Sequence, residues 1–218
     1  MNTQNKIIIP EISVIICSYN HEKWIERCIK SLLIQKNIKK NQFEIILVND
    51  ASKDNTKKIL RKYSKFKNLN IINNKKNIGL PGSLNKGIKK SIGRYIVRVD
   101  SDDYVNKYFL FLMKFFLDIY KNFQAVEVDY FKVDSKDKII TFSKYKKESI
   151  ACGIMFRRES LFNLGLYNKK FKMREGHDLR KRFLERFKMG KLNLPLYNYR
   201  MHKLNRTKKK KKKNNDKI

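Results

Sequence analysis

Short apolar runs alternate along this chain with longer stretches in which apolar residues recur every three or four positions. Ile12-Ser-Val-Ile-Ile-Cys17, with Pro10 just ahead of it, reads as a buried strand. Ser18-Tyr19-Asn20 then turns into a helix on which Trp24, Ile25, Cys28, Ile29, Leu32 and Leu33 fall at helical spacing. Phe43-Glu-Ile-Ile-Leu-Val48 predicts a second strand; the polar cluster Asn49 to Thr56 leads from it into a helix carrying Ile59, Leu60 and Tyr63. Leu69 to Ile72 predicts a short third strand. Asn77 to Gly82 predicts a turn from its glycine and proline content, with the next helix over Ser83 to Ser91. Tyr95, Ile96, Val97 and Val99 then form a fourth buried run. Strands alternating with helices predict an α/β domain with a mostly parallel sheet flanked by helices.

The second half is less regular. A helix is expected from Tyr108 to Tyr120, with Phe109, Leu112, Met113, Phe116 and Leu117 on a broad face assigned to the core. Strands are expected at Ala125 to Val133 and Ile139 to Phe142.

Chemistry gathers where the strands end. In open parallel sheets ligands collect at the carboxyl ends of the strands, and Tyr19, Asp50 and Asp100 all fall there. The fourth run ends in Asp100-Ser101-Asp102-Asp103. Carboxylates so close repel one another unless a cation sits among them. If the chain stays extended, Asp100 and Asp102 point the same way, because strand side chains alternate. Two hard oxygen ligands there suit Mg²⁺ or Mn²⁺ carrying a diphosphate. Asp103 would point elsewhere or cap the following helix.

Composition changes this picture little. At 218 residues with 41% hydrophobic, the chain is one domain, or one with a small extension, and not a disordered chain. No apolar run approaches the roughly 18 residues of a membrane span, and the N-terminus lacks a secretory pattern. Cys17, Cys28 and Cys152 lack metal-ligand spacing and read as reduced, buried thiols, which points to a cytoplasmic location. The net charge of +32 includes the unbroken run Lys208 to Lys213, read as a disordered tail, and the remainder is strongly basic too. Such a surface favours polyanions, among them anionic lipid head groups on the inner face of a membrane. The joint abundance of Lys, Asn, Ile, Phe and Tyr also fits an AT-rich genome, so charge by itself says little about function.

Several motifs together carry a resemblance. Val14-Ile-Ile-Cys-Ser-Tyr-Asn20, Val48-Asn-Asp-Ala-Ser52 with Asp54, Asn77-Ile-Gly79 with Asn85-Lys-Gly87, and Asp100-Ser-Asp-Asp103 resemble the family 2 glycosyltransferases in order and spacing. These are GT-A-type, nucleotide-sugar-dependent enzymes with a Rossmann-like sheet. The resemblance runs from about Pro10 to His202. It implies that Tyr19 and Asp50 hold the nucleotide base, that Asp100 lies near the ribose, and that Asp102 binds the metal bridging the diphosphate. It also implies a donor half over 1–103, an acceptor half over 104–206 and a basic tail over 207–218. Leu196-Tyr-Asn-Tyr-Arg-Met-His202 resembles the closing strand, where His202 would complete the metal site.

The chain departs from the family at three places. Asn49 stands where an Asp is common, and Leu84 stands where an Arg precedes Asn85; Lys86 is the candidate to replace that cation at the phosphates. Arg174-Glu-Gly-His-Asp-Leu179 occupies the place of the acceptor-side Glu-Asp helix start, but Gly176 replaces the usual Asp. That leaves Asp178 or Glu175 as the base, with Asp178 preferred because Leu179 follows it.

The expected activity is inverting, metal-dependent (Mn²⁺ or Mg²⁺) transfer of one sugar to a glycan or lipid-linked acceptor, as in surface polysaccharide synthesis. No Gln-x-x-Arg-Trp motif is present, against a processive synthase. A catalytically degenerate relative is the alternative that Gly176 and Leu84 raise. A basic nucleic-acid-binding protein is suggested by charge alone, without a recognition motif and without a use for the Asp cluster.

Overall fold

β1 (Ile12–Ser18) is buried along its length except at Cys17, which is half-buried. The computed structural model describes residues 9–144, 150–203 and 205. After β1 come α1 (Ile25–Leu33), β2 (Phe43–Asn49), α2 (Thr56–Arg61), β3 (Leu69–Asn73), α3 (Leu80–Lys90) and β4 (Tyr95–Arg98). β1 pairs in parallel with β2 and β4, and β2 with β3, which gives the order β3-β2-β1-β4. Parallel neighbours need crossovers, and the intervening helices supply them. Strands covered on both faces have no solvent side, which is why β1 and β2 read as near-continuous apolar runs.

Beyond β4 the sheet becomes mixed. The second half runs β5 (Tyr104–Val105), α4 (Phe109–Ile119), β6 (Ala125–Val133), β7 (Ile139–Ser143), β8 (Ile154–Arg157), α5 (Arg158–Leu164), α6 (Glu175–Leu184) and β9 (Met189–Arg200). β8 lies antiparallel between β4 and β6, β9 runs parallel to β6, β5 pairs antiparallel with β9, and β7 pairs with β6. One sheet therefore carries both halves, and β9 returns beside β5, just after the Asp cluster. The expected α/β architecture with a less regular second half is observed.

Three local expectations are corrected. α3 starts at Leu80, not Ser83: Pro81 sits in the first turn, where its missing N–H is not needed, and Gly79 enters it at φ 78°. Tyr63 lies beyond the end of α2 and donates its hydroxyl to Glu26 of α1 at 2.9 Å. The chain does not stay extended through Asp100 to Asp103; it turns, with the Asp103 N–H on the Asp100 carbonyl at 3.0 Å. Strand alternation therefore does not set the direction of these carboxylates; their partners do. The lysine run and tail beyond 205 lie outside the described residues. Among the described residues no helix is long and apolar enough to cross a membrane.

Entry into β4 depends on a close approach. Gly93 donates its N–H to Ser13 Oγ at 2.9 Å, and a Cβ on it would lie 2.7 Å from the backbone of Ile12 and Ser13. Ser13 in turn donates to Glu44 at 2.6 Å, which also accepts the Ile92 N–H at 2.8 Å. Backbone cannot yield as a side-chain tip can. Gly93→Ala should cost about 1–3 kcal/mol of unfolding free energy, read from denaturant midpoints. An unchanged midpoint would mean that β4 can separate from β1 at no cost.

Candidate functional site

The loops after β1 and β2 are latched to each other at the carboxyl edge of the sheet. Asn20 Oδ1 accepts the Lys53 N–H at 2.8 Å, and the Asn20 N–H reaches Ser52 Oγ at 3.1 Å. The His21 N–H goes to Thr56 Oγ1 at 3.1 Å, the Glu22 N–H to Asp54 at 3.0 Å, and the Asn55 N–H to Glu22 at 2.8 Å. Asn20 and Ala51 both take left-handed backbone, with φ of 56° and 59°. Asn tolerates that region; Ala does so only where surrounding contacts hold it.

This latch frames Tyr19 and Asp50. Tyr19 is 41% exposed, an aromatic face open to a ligand. Asp50 is buried and accepts from Asn74 Nδ2 at 2.8 Å and the Ile78 N–H at 2.9 Å, both through Oδ1. Among the described residues no hydrogen bond reaches its other oxygen. Lys86 Nζ donates to Asn74 Oδ1 at 2.7 Å, so this lysine stands beside Asp50. Leu84 is buried.

At the end of β4 each carboxylate has its own partner. Arg98 holds Asp100 through both oxygens, Nε to Oδ1 at 2.6 Å and Nη2 to Oδ2 at 3.2 Å. Asp103 is fully buried: it accepts from the Arg200 N–H at 2.7 Å and the Tyr197 hydroxyl at 2.8 Å. Burial, reinforced by the charges of Asp102 and Asp100, pushes its pKa well above the usual carboxylate range. Asp102 meets His202, with Oδ2 and Nε2 2.9 Å apart. Burial pushes Asp102 up, but the His202 hydrogen bond and the charges of His21 and His202 outweigh it and hold the carboxyl below the usual range.

The donor set at Asp102 and His202 fits a divalent cation. Oδ2 and Nε2 are hydrogen-bonded to each other at 2.9 Å, so a cation would replace that bond, with both atoms turned to it. A carboxylate with an imidazole suits Mn²⁺ better than Mg²⁺, whose sites are built of oxygen. Among the described residues one group of three possible donors, Asp100, Asp103 and Cys152, lies within 4.8 Å, and it omits this pair. It is poorly suited to a metal: both Asp103 oxygens already accept hydrogen bonds, and burial pushes the Cys152 thiol well up, keeping it protonated.

On the acceptor side the two candidate bases are placed differently. Glu175 opens α6, is 5% exposed, and is paired with Arg98 Nη1 at 3.2 Å. Asp178 is held by Arg182, Nε and Nη2 both reaching Oδ2, at 3.0 and 2.9 Å. Its side chain is 18% exposed, against 6% for Glu175. Gly176 has no room for a side chain: a Cβ there would lie 2.3 Å from the Cβ of Ala151.

Sequence reasoning missed Arg98, His21, Trp24 and Arg200. Arg98 had a signal, since a cation inside a buried apolar run must be paired. His21 Nδ1 lies 2.6 Å from Ser101 Oγ, and it follows Asn20 at the same sheet edge that singled out Tyr19. Arg200 donates to the Asp102 carbonyl at 2.8 Å and sits 4.6 Å over the Trp24 ring, which packs 5.5 Å from His202. Nothing local in the sequence reports that contact across 176 residues.

Comparison with known proteins follows this geometry. A profile described as "Glycosyl transferase family 2" matches residues 13–162. Poly(ribitol-phosphate) beta-N-acetylglucosaminyltransferase TarS of Staphylococcus aureus is 40% identical over 98 residues, 44% of this chain and 17% of the relative. An uncharacterized glycosyltransferase of Rickettsia conorii, RC0461, is 37% identical over 141 residues, 64% of this chain and 22% of the relative. The chain thus spans less than a quarter of the length of either. The crystal structure of S. aureus TarS 1-349 superposes with a TM-score of 0.75 at 25% identity, covering 87% of this chain and 60% of that one. Mannosyltransferase PcManGT from Pyrobaculum calidifontis, in complex with GDP-Man and Mn²⁺, superposes with a TM-score of 0.71 at 16% identity, covering 90% and 59%, and so shows the GT-A fold alone.

The latch itself is testable through Asp54. Burial pushes this carboxyl up, but hydrogen bonds from Thr56 and from the Glu22 N–H outweigh it and hold its pKa below the usual value. The folded state therefore favours the ionised form. Its contribution is present above the ordinary carboxylate pKa and is lost as pH falls through the depressed value. Asp54→Ala should cost about 1 kcal/mol near neutral pH, and the gap from the parent should close in acid. Denaturant titrations at several pH values read this; a gap independent of pH would remove the charge from the latch.

Proposed function

This chain belongs to glycosyltransferase family 2, and we propose that it transfers a single sugar, with inversion, from a nucleoside-diphosphate sugar to a hydroxyl of a glycan or lipid-linked acceptor in surface-polysaccharide assembly. The observation that carries this reading is the Asp102–His202 pair, set beside Asp100 at the carboxyl end of β4. Relatives support it: TarS is a poly(ribitol-phosphate) beta-N-acetylglucosaminyltransferase, and of the structural neighbours TarS holds UDP-GlcNAc and PcManGT holds GDP-Man with Mn²⁺.

In this reading the donor lies across the latched edge. Tyr19 packs on the base, and the free oxygen of Asp50 accepts a base N–H. Asp100, fixed by Arg98, takes the ribose hydroxyls. Asp102 and His202 would hold Mn²⁺ or Mg²⁺, whose charge would offset that of the diphosphate. The acceptor hydroxyl needs a carboxylate within hydrogen-bond reach to take its proton as it attacks the anomeric carbon. Asp178, the more exposed of the pair, is assigned that role. Glu175 is assigned as an anchor through Arg98, and it remains the rival base.

A second reading has one specific observation in its favour. The Cβ of Ala151 fills the space that a side chain at position 176 would need. A chain that bound donor but had lost its base would look like this.

Two measurements separate these readings. Titration with UDP or GDP in the presence of Mn²⁺ should show binding by the parent and at least about tenfold weaker binding by Asp102→Asn, since loss of even an outer partner of a metal ligand costs that much. Equal affinities would sink the metal assignment. Asp178→Asn should lower donor turnover by about 10²-fold or more while leaving nucleotide affinity unchanged. If Glu175→Gln does so and Asp178→Asn does not, the two roles are exchanged. If the parent binds nucleotide and turns over no donor in a panel of nucleotide sugars, the degenerate reading stands.

A further inference from the structure

α4 is apolar nearly all round: Phe109-Leu-Phe-Leu-Met-Lys-Phe-Phe-Leu-Asp-Ile119 has polar residues at Lys114 and Asp118 only. A helix of that composition belongs inside a core or against another apolar phase. Only one side of α4 is in the core, through Phe109, Leu110, Met113 and Leu117. On the other side Phe115 is 52% and Ile119 53% exposed, and Phe111 stacks on Phe115 with ring centroids 5.8 Å apart. Positions 111, 115 and 119 recur every four residues and make one stripe. Tyr108 and Tyr120, both exposed, close its two ends.

Lysines flank this stripe at both ends. Lys107 lies 5.3 Å over the Tyr108 ring, and Lys121 follows Tyr120. The end of α1 is fastened to the start of α4: Gln35 accepts the Leu110 N–H and donates to the Asn106 carbonyl, both at 2.9 Å, and the Lys36 N–H reaches the Lys107 carbonyl at 2.7 Å. That junction brings exposed Ile34 and Lys36, with Lys39 and Lys40 following and no acidic residue from Ile34 to Gln42. The one acid on α4, Asp118, is occupied elsewhere, by Lys114 at 2.7 Å, Arg94 at 2.9 Å and the Tyr95 hydroxyl at 2.6 Å.

From this we infer that the outer face of α4 is a docking surface for an anionic lipid bilayer. Phe111, Phe115 and Ile119 enter the acyl boundary, the two tyrosines sit at head-group level, and the lysines meet the lipid charge. Apolar burial and electrostatic attraction add in such a surface. Tyrosine is the residue type that suits the polar–apolar boundary. A second copy is the poorer occupant, because two identical faces would bring their lysines together. This surface does not depend on the glycosyltransfer reading: a chain with no transferase activity would still bind lipid.

Co-sedimentation of the full chain with vesicles tests it, using phosphatidylcholine alone and a mixture with phosphatidylglycerol at about 3:1, near 0.15 M salt. The parent should partition onto the anionic vesicles. Phe115→Ser with Ile119→Ser leaves the net charge unchanged and should weaken partition at least tenfold without lowering Tm. Phe115→Trp should show a blue-shifted emission on adding the anionic vesicles, and should keep it after deletion of residues 207–218. The inference is overturned if the parent ignores anionic vesicles, or if the double-serine variant binds as the parent does. Loss of a dimer by that variant in sedimentation velocity, with vesicle binding intact, would overturn it in favour of a second copy.

Discussion

Three carboxylates within four residues at the end of a buried strand must each be compensated, and the rest of this fold follows from how that is done. Asp100 takes the guanidinium of Arg98 from its own strand. Asp103 takes the backbone N–H of Arg200 and the hydroxyl of Tyr197, both from β9. Asp102 takes His202, two residues beyond β9. Unpaired, any of these groups would carry a desolvation penalty, of several kcal/mol where it is ionised. β9 is therefore more than the last strand of the sheet. It has to return beside β5 for the Asp cluster to exist, and in doing so it ties the end of the described chain to the end of β4.

Arg98 extends the same logic to the acceptor side. Its guanidinium is 6% exposed and lies between Asp100 and Glu175. It also faces the Tyr167 ring, and the backbone of Tyr167 exchanges hydrogen bonds with Asn85 of α3 at 2.7 and 3.0 Å. One buried cation thus touches β4, the start of α6 and the turn that α3 holds. Leu84, at the place where the family often carries an arginine, is a buried leucine of α3. Removing Arg98 would leave Asp100 and Glu175 facing each other unpaired, so the end of β4 and the start of α6 share a single electrostatic support.

What the sequence revealed and what it hid divide along physical lines. β1, β2 and β4 were legible because strands buried on both faces must be apolar throughout. The placement of Tyr19, Asp50 and Asp100 at the carboxyl ends of strands was legible because those strands were. The turn at Asp100 to Asp103 was not, since the extended expectation took no account of Arg200 and Tyr197 pulling Asp103 inward. The start of α3 was misplaced because Pro81 and Gly82 read as turn residues, while proline in a first helical turn gives up no hydrogen bond. Contacts such as Arg200 to Trp24 were hidden because they join residues whose partnership only the tertiary fold creates.

Gly176 then takes on a definite meaning. A glycine at the second position of α6 lets the helix start approach Ala151 to a distance that no side chain would allow. Arg174 enters that helix in left-handed backbone, φ 62°, and Glu175 is drawn into the pair with Arg98. The two features belong together: a carboxylate at position 176 would push the helix start away from Ala151 and pull on the Arg98–Glu175 bridge. Restoring the family's Asp at 176 is accordingly not a neutral repair, because the backbone around it has closed on the smaller residue. A candidate for the proposed base must therefore lie outside that closed contact. Asp178, one turn further along the helix and more exposed than Glu175, meets that condition.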